Sequence, residues 1–98
     1  VFITQPLLVG EGIDPATGTD LAKVKVSADM NGRLYWNKLE LYNEVMRDVC
    51  QKEHIELIDL AKILPKDSRY FYDPMHFTNV GSVRVGQILA ESSARFLN

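Results

Sequence analysis

Two short apolar runs on either side of a long amphipathic helix pattern constrain the fold of this 98-residue chain more than any other feature. The run Val1 to Gln5 is β-branched and closed by Pro6, which favours a buried strand. Ile55 to Asp59 has a similar strand pattern. Between them, from Arg33 to His54, apolar residues recur at steps of four, three, four and three: Tyr35, Leu39, Tyr42, Met46 and Val49. A strand, a helical crossover and a second strand predict an α/β protein with parallel strands.

The rest of the helix pattern predicts which residues face solvent. Its charged residues are expected on the face opposite the apolar stripe: Lys38, Glu40, Glu44, Arg47, Asp48 and Lys52. Cys50, the single cysteine, falls within the same pattern, which favours a small buried hydrophobic residue over a nucleophile. One thiol also excludes an internal disulfide and a multi-thiolate metal site.

The composition predicts one small soluble domain. Hydrophobic residues make up 46 % of the chain and the formal charge is -2, so we expect no attraction to nucleic acid or to an anionic membrane surface. No apolar run approaches the roughly 18 to 20 residues that a membrane span requires. The chain begins within strand-like sequence and without an initiator methionine, so we expect natural sequence before Val1, and the compartment stays open.

Residues 7–32 are predicted to form a long irregular loop, because glycine and proline recur through them. Loops of this length in small domains usually bind something or move. Within the loop, the alternation in LAKVKVSA, residues 21–28, predicts a short hairpin arm.

The second strand leads into a helical turn, Leu60 to Leu64, which Pro65 ends. Asp59 stands at the junction and is expected to cap this turn, with a catalytic role as the alternative. After a polar and aromatic loop from Lys66 to Phe77, Thr78 or Asn79 is expected to cap a final helix. That helix is predicted over Val80 to Leu97, with one face formed by Val85, Leu89, Ser92 and Phe96.

Asp73 and His76 form the main candidate site. A histidine acts as a general base when a carboxylate accepts the hydrogen bond from its Nδ1–H, and an Asp-x-x-His turn supplies both groups from one loop. Pro74 stiffens that turn. By itself the spacing is a weak signal, and a surface histidine is the alternative.

The segment DPMHFTNVGSVRVGQILA, residues 73–90, resembles the last sequence block of the SGNH hydrolases, the GDSL-type lipases and acylhydrolases. In that block D-x-x-H precedes a serine or threonine that opens the final helix. VFITQP, the long loop, the amphipathic helix and HIELIDLAKIL also resemble the preceding part of the family's domain.

The resemblance covers essentially the whole chain, but only the second half of the family's domain. It implies that residues 1–98 are the C-terminal segment of a single three-layer α/β/α, flavodoxin-like domain, with residues 7–32 as a substrate-side loop. It further implies ester hydrolysis with Asp73 as the triad acid and His76 as the general base, without a metal or organic cofactor.

The sequence departs from the family at the nucleophile. The family's G-D-S serine, its oxyanion glycine and its G-x-N asparagine have no counterpart in the chain, and Ser27, Ser68 and Ser82 are expected to be turn, cap or surface residues. We therefore expect these residues to be inactive alone, and to self-associate or bind a missing N-terminal half. The alternative is a noncatalytic α/β interaction module that binds through the long loop.

Two weaker interpretations concern His54. A metal cluster of His54, Asp59, Asp73 and His76 matches no standard ligand spacing. His54 is better interpreted as a cation near the C-terminus of the long helix.

Overall fold

The structure is a computed structural model that describes residues 1–95. It is a mixed α/β structure with seven elements in the described chain: β1 (Phe2–Ile3), β2 (Lys25–Ser27), β3 (Met30–Asn31), α1 (Gly32–Lys52), β4 (Leu57–Ile58), α2 (Leu60–Ile63) and α3 (Asn79–Ser93). Phe96 and Leu97, which were predicted to extend the last helix, lie outside the described residues.

Strands β1 and β4 pair in parallel, which confirms the predicted crossover. Phe2 lies opposite Leu57 and Ile3 opposite Ile58. Each strand has only two residues. The sheet therefore depends on its helices and loops for stability.

Helix α1 begins and ends at recognisable caps. The Asn31 side chain accepts a hydrogen bond from Leu34 N at 2.9 Å, as a good N-cap does. At the other end His54 has φ 57, and Ile55 N donates to Cys50 O at 2.9 Å. This left-handed cap turns the chain back toward β4.

The buried face of α1 is rotated from the predicted stripe. Asn43 lies at its centre, because its side chain donates to Gln5 O and accepts from Gln5 N, both at 3.0 Å. Tyr42 and Val49, predicted to be buried, are 75 % and 45 % exposed. Glu40 and Arg47, predicted for the solvent face, are half-buried and bonded to each other. The predicted burial of Cys50 is confirmed.

Asp59 does not cap α2, so that prediction is wrong. Arg47 binds its carboxylate through Nε at 2.8 Å and Nη2 at 2.9 Å, a paired geometry that suits a guanidinium. The cap comes instead from Thr4, whose hydroxyl donates to Asp59 at 2.8 Å and accepts from Ala61 N at 2.9 Å. Burial alone would raise the pKa of Asp59, but the bonds from Arg47 and Thr4 lower it.

The long loop contains a hairpin, in which β2 and β3 pair antiparallel. It lies later in the chain than the predicted arm of residues 21–28, because residues 21–23 form a turn and β3 follows the predicted range. The hairpin packs against α1. Most of the remaining residues of 7–32 are irregular, as predicted.

The main core lies between α2, α3 and the loop of residues 66–77. Its buried members are Leu60, Leu64, Phe71 and Ile88, and the half-buried residues packed on it are Leu8, Tyr70, Phe77 and Val85. The loop that carries Asp73 and His76 therefore rests directly on the core. Within residues 1–95, no helix combines the length and apolarity needed to cross a membrane.

Candidate functional site

The side chains of Asp73 and His76 are hydrogen-bonded to each other. His76 Nδ1 lies 2.7 Å from Asp73 Oδ2. The other carboxylate oxygen, Oδ1, accepts from the backbone N–H groups of Met75 at 2.8 Å and His76 at 2.7 Å. The four residues, here called the Asp73–His76 turn, thus hold the carboxylate by three hydrogen bonds from within the turn.

These bonds decide the charge of the acid and the tautomer of the base. The N–H of Met75 lowers the pKa of Asp73 most, and the side chain and N–H of His76 lower it further against the opposing effect of burial. Asp73 is therefore an acceptor near neutral pH, so the neutral ring of His76 carries its proton on Nδ1. That tautomer leaves Nε2 with a lone pair, as a general base requires.

The turn is fixed at its base by its own aromatic residues. Phe71 and Phe77 form an antiparallel bridge, their rings are 5.3 Å apart, and Phe71 is only 1 % exposed. Tyr72 N donates to His76 O at 3.0 Å, and the Tyr72 ring stacks on the imidazole at 5.7 Å. These aromatic residues therefore pack the loop and orient His76.

Helix α3 is joined to the same loop, as the predicted Thr78 cap required. Thr78 Oγ1 accepts from Gly81 N at 3.0 Å and donates to Arg69 O at 2.6 Å. Thr78 N donates to Tyr70 O at 2.9 Å. A Cβ on Gly81 would come 2.0 Å from Tyr70 O, so the first turn of α3 touches the loop backbone.

His76 lines an open cleft of ≈ 430 Å³. Its other lining residues are largely apolar: Gln5, Leu7, Tyr35, Leu39, Met75 and Phe77. Tyr35 and Leu39 belong to the predicted apolar stripe of α1. The N-terminal part of that stripe therefore forms one wall of the cleft. Within the described part of the chain, no side chain or backbone group bonds His76 Nε2. The base is accessible to a group that enters the cleft.

Asp14 is a buried carboxylate that the sequence interpretation missed. It is 2 % exposed and accepts hydrogen bonds from Ala16 N at 3.1 Å, Thr17 Oγ1 at 2.7 Å and Ser68 N at 3.0 Å. Burial would raise its pKa, but these bonds outweigh burial and lower the pKa to about 2. The Asp-Pro-x-Thr sequence was a signal for the local turn, but nothing in the sequence indicated the bond to Ser68.

The remaining candidates do not join the pair. Ser27, Ser68 and Ser82 lie in β2, the 66–77 loop and α3, and among residues 1–95 none of their hydroxyls bonds His76. His54 stays at the end of α1, and Asp59 is bound by Arg47 and Thr4. No three His, Cys, Asp or Glu residues of the described chain come together as a metal-ligand set.

Comparisons of the chain with protein-family models, curated proteins and solved structures found no match. The site consists of an ionised acid, an imidazole in its Nδ1–H tautomer and an apolar cleft that the imidazole lines.

Proposed function

We propose that residues 1–98 are the C-terminal segment of a serine ester hydrolase of the SGNH type and supply its acid and base. The observation that carries this proposal is the 2.7 Å contact between Asp73 Oδ2 and Nδ1 of a histidine that lines an apolar cleft. The resemblance of residues 73–90 to the family's last block supports the same assignment.

In the proposed reaction, His76 Nε2 takes the proton of a serine hydroxyl while the serine oxygen attacks the ester carbonyl. Asp73 stays ionised and stabilises the imidazolium through Nδ1–H. His76 then gives its proton to the leaving alcohol. In the second half it activates a water molecule that hydrolyses the acyl-enzyme. Ester substrates would place their apolar portion in the cleft beside Tyr35 and Leu39.

The serine and the oxyanion donors are proposed to come from sequence outside these residues. A three-layer α/β/α domain would place them on strands added beside β1. The amides of Phe2 and Thr4 bond to β4, so those of Val1 and Ile3 point toward the other edge. Asn43 covers that edge only at Gln5. Exposed Tyr42 and Val49 would pack against the added layer.

The test uses a protein that carries a Gly-Asp-Ser block followed by residues 1–98. His76→Ala should lower kcat/KM for a short-chain p-nitrophenyl ester by roughly 10³-fold or more, because the general base is lost. Asp73→Asn should give a large loss too, since an amide oxygen no longer stabilises the imidazolium.

His54→Asn is the matched control, because His54 is exposed and outside the site, and asparagine tolerates its φ of 57. It should keep wild-type turnover. Near-normal activity of the His76→Ala variant would refute the assignment.

The second candidate function is a noncatalytic interaction module. It is favoured by the large apolar side chains that the chain exposes on β1 and α1, among them Phe2, Leu41 and Val45. A serine-directed phosphonate separates the two functions. Stoichiometric labelling of the extended protein supports the hydrolase, whereas no labelling together with no ester turnover supports the module.

A further inference from the structure

The Asp73–His76 turn has one backbone hydrogen bond to a distant part of the described chain. Leu8 N donates to Pro74 O at 3.0 Å. The three bonds to the Asp73 carboxylate are all internal to the turn, so they do not fix its position relative to the cleft. Leu7, the neighbour of Leu8, lines that cleft. The bridge between Phe71 and Phe77 fixes the base of the turn, whereas the bond from Leu8 fixes the Pro74 peptide at its tip. The backbone of that tip therefore depends on what holds residues 7–9.

Lys66 holds that segment. Its Nζ donates to Leu7 O at 2.8 Å and to Val9 O at 3.0 Å, on either side of Leu8. The side chains of Leu7 and Val9 are buried at 3 % and 1 % exposure, which leaves the segment little freedom. The backbones of three consecutive residues are thus bound: Lys66 Nζ binds the carbonyls of Leu7 and Val9, and the Pro74 carbonyl binds the amide of Leu8.

The Lys66 side chain is itself held in place by the Trp36 ring. Its Nζ lies 5.3 Å from the centroid of the Trp36 ring, a favourable cation–π distance. The Trp36 ring is fixed by its close approach to Gly10, where a Cβ would come 2.5 Å from Trp36 Cγ. Among the described residues, no carboxylate lies within ion-pair distance of Lys66. The ammonium is therefore bound by carbonyl groups and a ring.

The charge on Lys66 strengthens its hydrogen bonds to Leu7 O and Val9 O. Burial lowers the pKa of Lys66 to about 8, against the opposing effects of Glu40 and Glu11. Below that pH both bonds to the carbonyls are charge-assisted, which makes them stronger than neutral ones.

We propose that Lys66 is a positioning residue for the Asp73–His76 pair. Its ammonium fixes Leu7 and Val9, and Leu8 then fixes the Pro74 carbonyl. The Pro74 peptide, which joins the acid to the base, thereby keeps the backbone conformation from which Asp73 Oδ2 reaches His76 Nδ1. The catalytic meaning of this role rests on the proposed hydrolase function. The geometry that Lys66 controls, however, can be measured without turnover.

The test is an NMR measurement on the uniformly ¹⁵N-labelled 98-residue chain at pH 7. An imidazole Nδ1 proton that is bonded to a carboxylate resonates far downfield and is seen in water only while the bond protects it from exchange. Spectra are recorded at low temperature, because the His76 side chain is 59 % exposed. Wild type is expected to show it. Lys66→Met, which keeps the apolar stem but removes the donors, is expected to lose it. Lys66→Arg, which keeps the charge and donors, should retain it.

Lys62→Met is the matched control. Lys62 is an exposed lysine four positions away with no side-chain hydrogen bond in the described chain, and this variant should keep the resonance. Preserved backbone amide signals of Leu57 and Ile58 show that a variant is folded. If Lys66→Met does not fold, Lys66→Gln replaces it, because its shorter neutral side chain cannot reach both carbonyls.

An unchanged Nδ1 signal in a folded but less thermostable Lys66 variant would give Lys66 a purely structural role and overturn the inference. A wild-type chain without the signal would overturn it as well. Absence of ester turnover in the extended protein would remove the proposed function but not this result. In an active extended protein, Lys66→Met should lower kcat more than it changes KM, because substrate binding does not require the aligned base.

Discussion

At the scale of single residues, the sequence indicated hydrogen-bond partners that are close in the chain but not those that are distant in it. Asp73 and His76 are three positions apart, so sequence alone indicated both members of the pair. Asp14 and Ser68 are separated by 54 positions, and Lys66 and Leu7 by 59. Such bonds depend on the tertiary arrangement of two loops, and neither loop has a periodicity that predicts it.

The predicted cap at Asp59 was wrong for a different reason. Its place after β4 and before α2 favoured a cap by the usual preference for aspartate there. The preference was overridden because Arg47 offers a charge-assisted bond and Thr4 supplies a hydroxyl for the cap. Sequence order did not show that Arg47 faces the sheet.

Asp14 is a buried carboxylate whose negative charge stabilises the fold. Asp14→Asn should lower the free energy of unfolding at pH 7 by roughly 1–3 kcal/mol, because three hydrogen bonds to a buried side chain lose their ionised acceptor. The folded pKa of about 2 lies below the ordinary 3.8. The ionised group therefore stabilises the fold above pH 3.8, and this contribution is lost as the pH falls toward about 2.

Urea unfolding of wild type and Asp14→Asn between pH 2 and 7 measures this difference. The two curves of stability against pH should converge at the acid end. Asp29→Asn is the control, since Asp29 is exposed and in the same loop. A difference between wild type and Asp14→Asn that stays constant down to pH 2 would contradict the role of the ionised carboxylate.

At the scale of elements, the order and type were predictable and the exact faces were not. The parallel pair, the long helix and the Thr78 cap follow from periodicity and cap chemistry. The face of α1 was misjudged because Asn43, a polar residue, finds its partners in the backbone of Gln5 and occupies the centre of the buried side. Hydrophobic periodicity does not register a buried amide that is fully bonded.

The two glycines of α3 give the element-scale prediction. Each should cost the helix about 1 kcal/mol relative to alanine, but only Gly81 touches another segment. At Gly81 a Cβ would come 2.0 Å from Tyr70 O, whereas at Gly86 it would meet nothing within 4 Å. Gly81→Ala should therefore destabilise the chain by roughly 1–3 kcal/mol through overpacking, and Gly86→Ala should stabilise it by about 0.5–1 kcal/mol.

Chemical denaturation of the two variants tests the contact directly, since each serves as the control for the other. The substitution is identical and both sites lie in one helix, so helix propensity cancels. Equal changes in stability at the two positions would show that α3 does not approach the loop backbone at Gly81. Because Tyr70 belongs to the loop that holds Asp73 and His76, Gly81→Ala should also weaken the His76 Nδ1 proton signal.

At the scale of the whole molecule, the chain is less compact than its size allows. Its accessible surface is 6310 Å², whereas a compact monomer of 11.1 kDa would expose about 5,700 Å². Its radius of gyration is 14.3 Å, against about 13 Å for a compact chain of this length, and its shortest dimension is 17 Å. A thin body of this kind leaves apolar side chains on its surface.

Self-association is the prediction at this scale. Ile3 is exposed on β1, whose second edge has no strand partner within residues 1–95. Tyr42, Val45 and Val49 are exposed on α1. An open strand edge and a contiguous apolar helix stripe favour association.

We expect the sedimentation coefficient of the 98-residue chain to rise with protein concentration. The double variant Ile3→Lys with Tyr42→Lys should sediment as a monomer, because a charge on each surface opposes burial. Asn37→Lys with Gln51→Lys adds the same charge at exposed polar positions and should associate like wild type. A wild-type chain that stays a folded monomer at every concentration would show that these surfaces do not drive association.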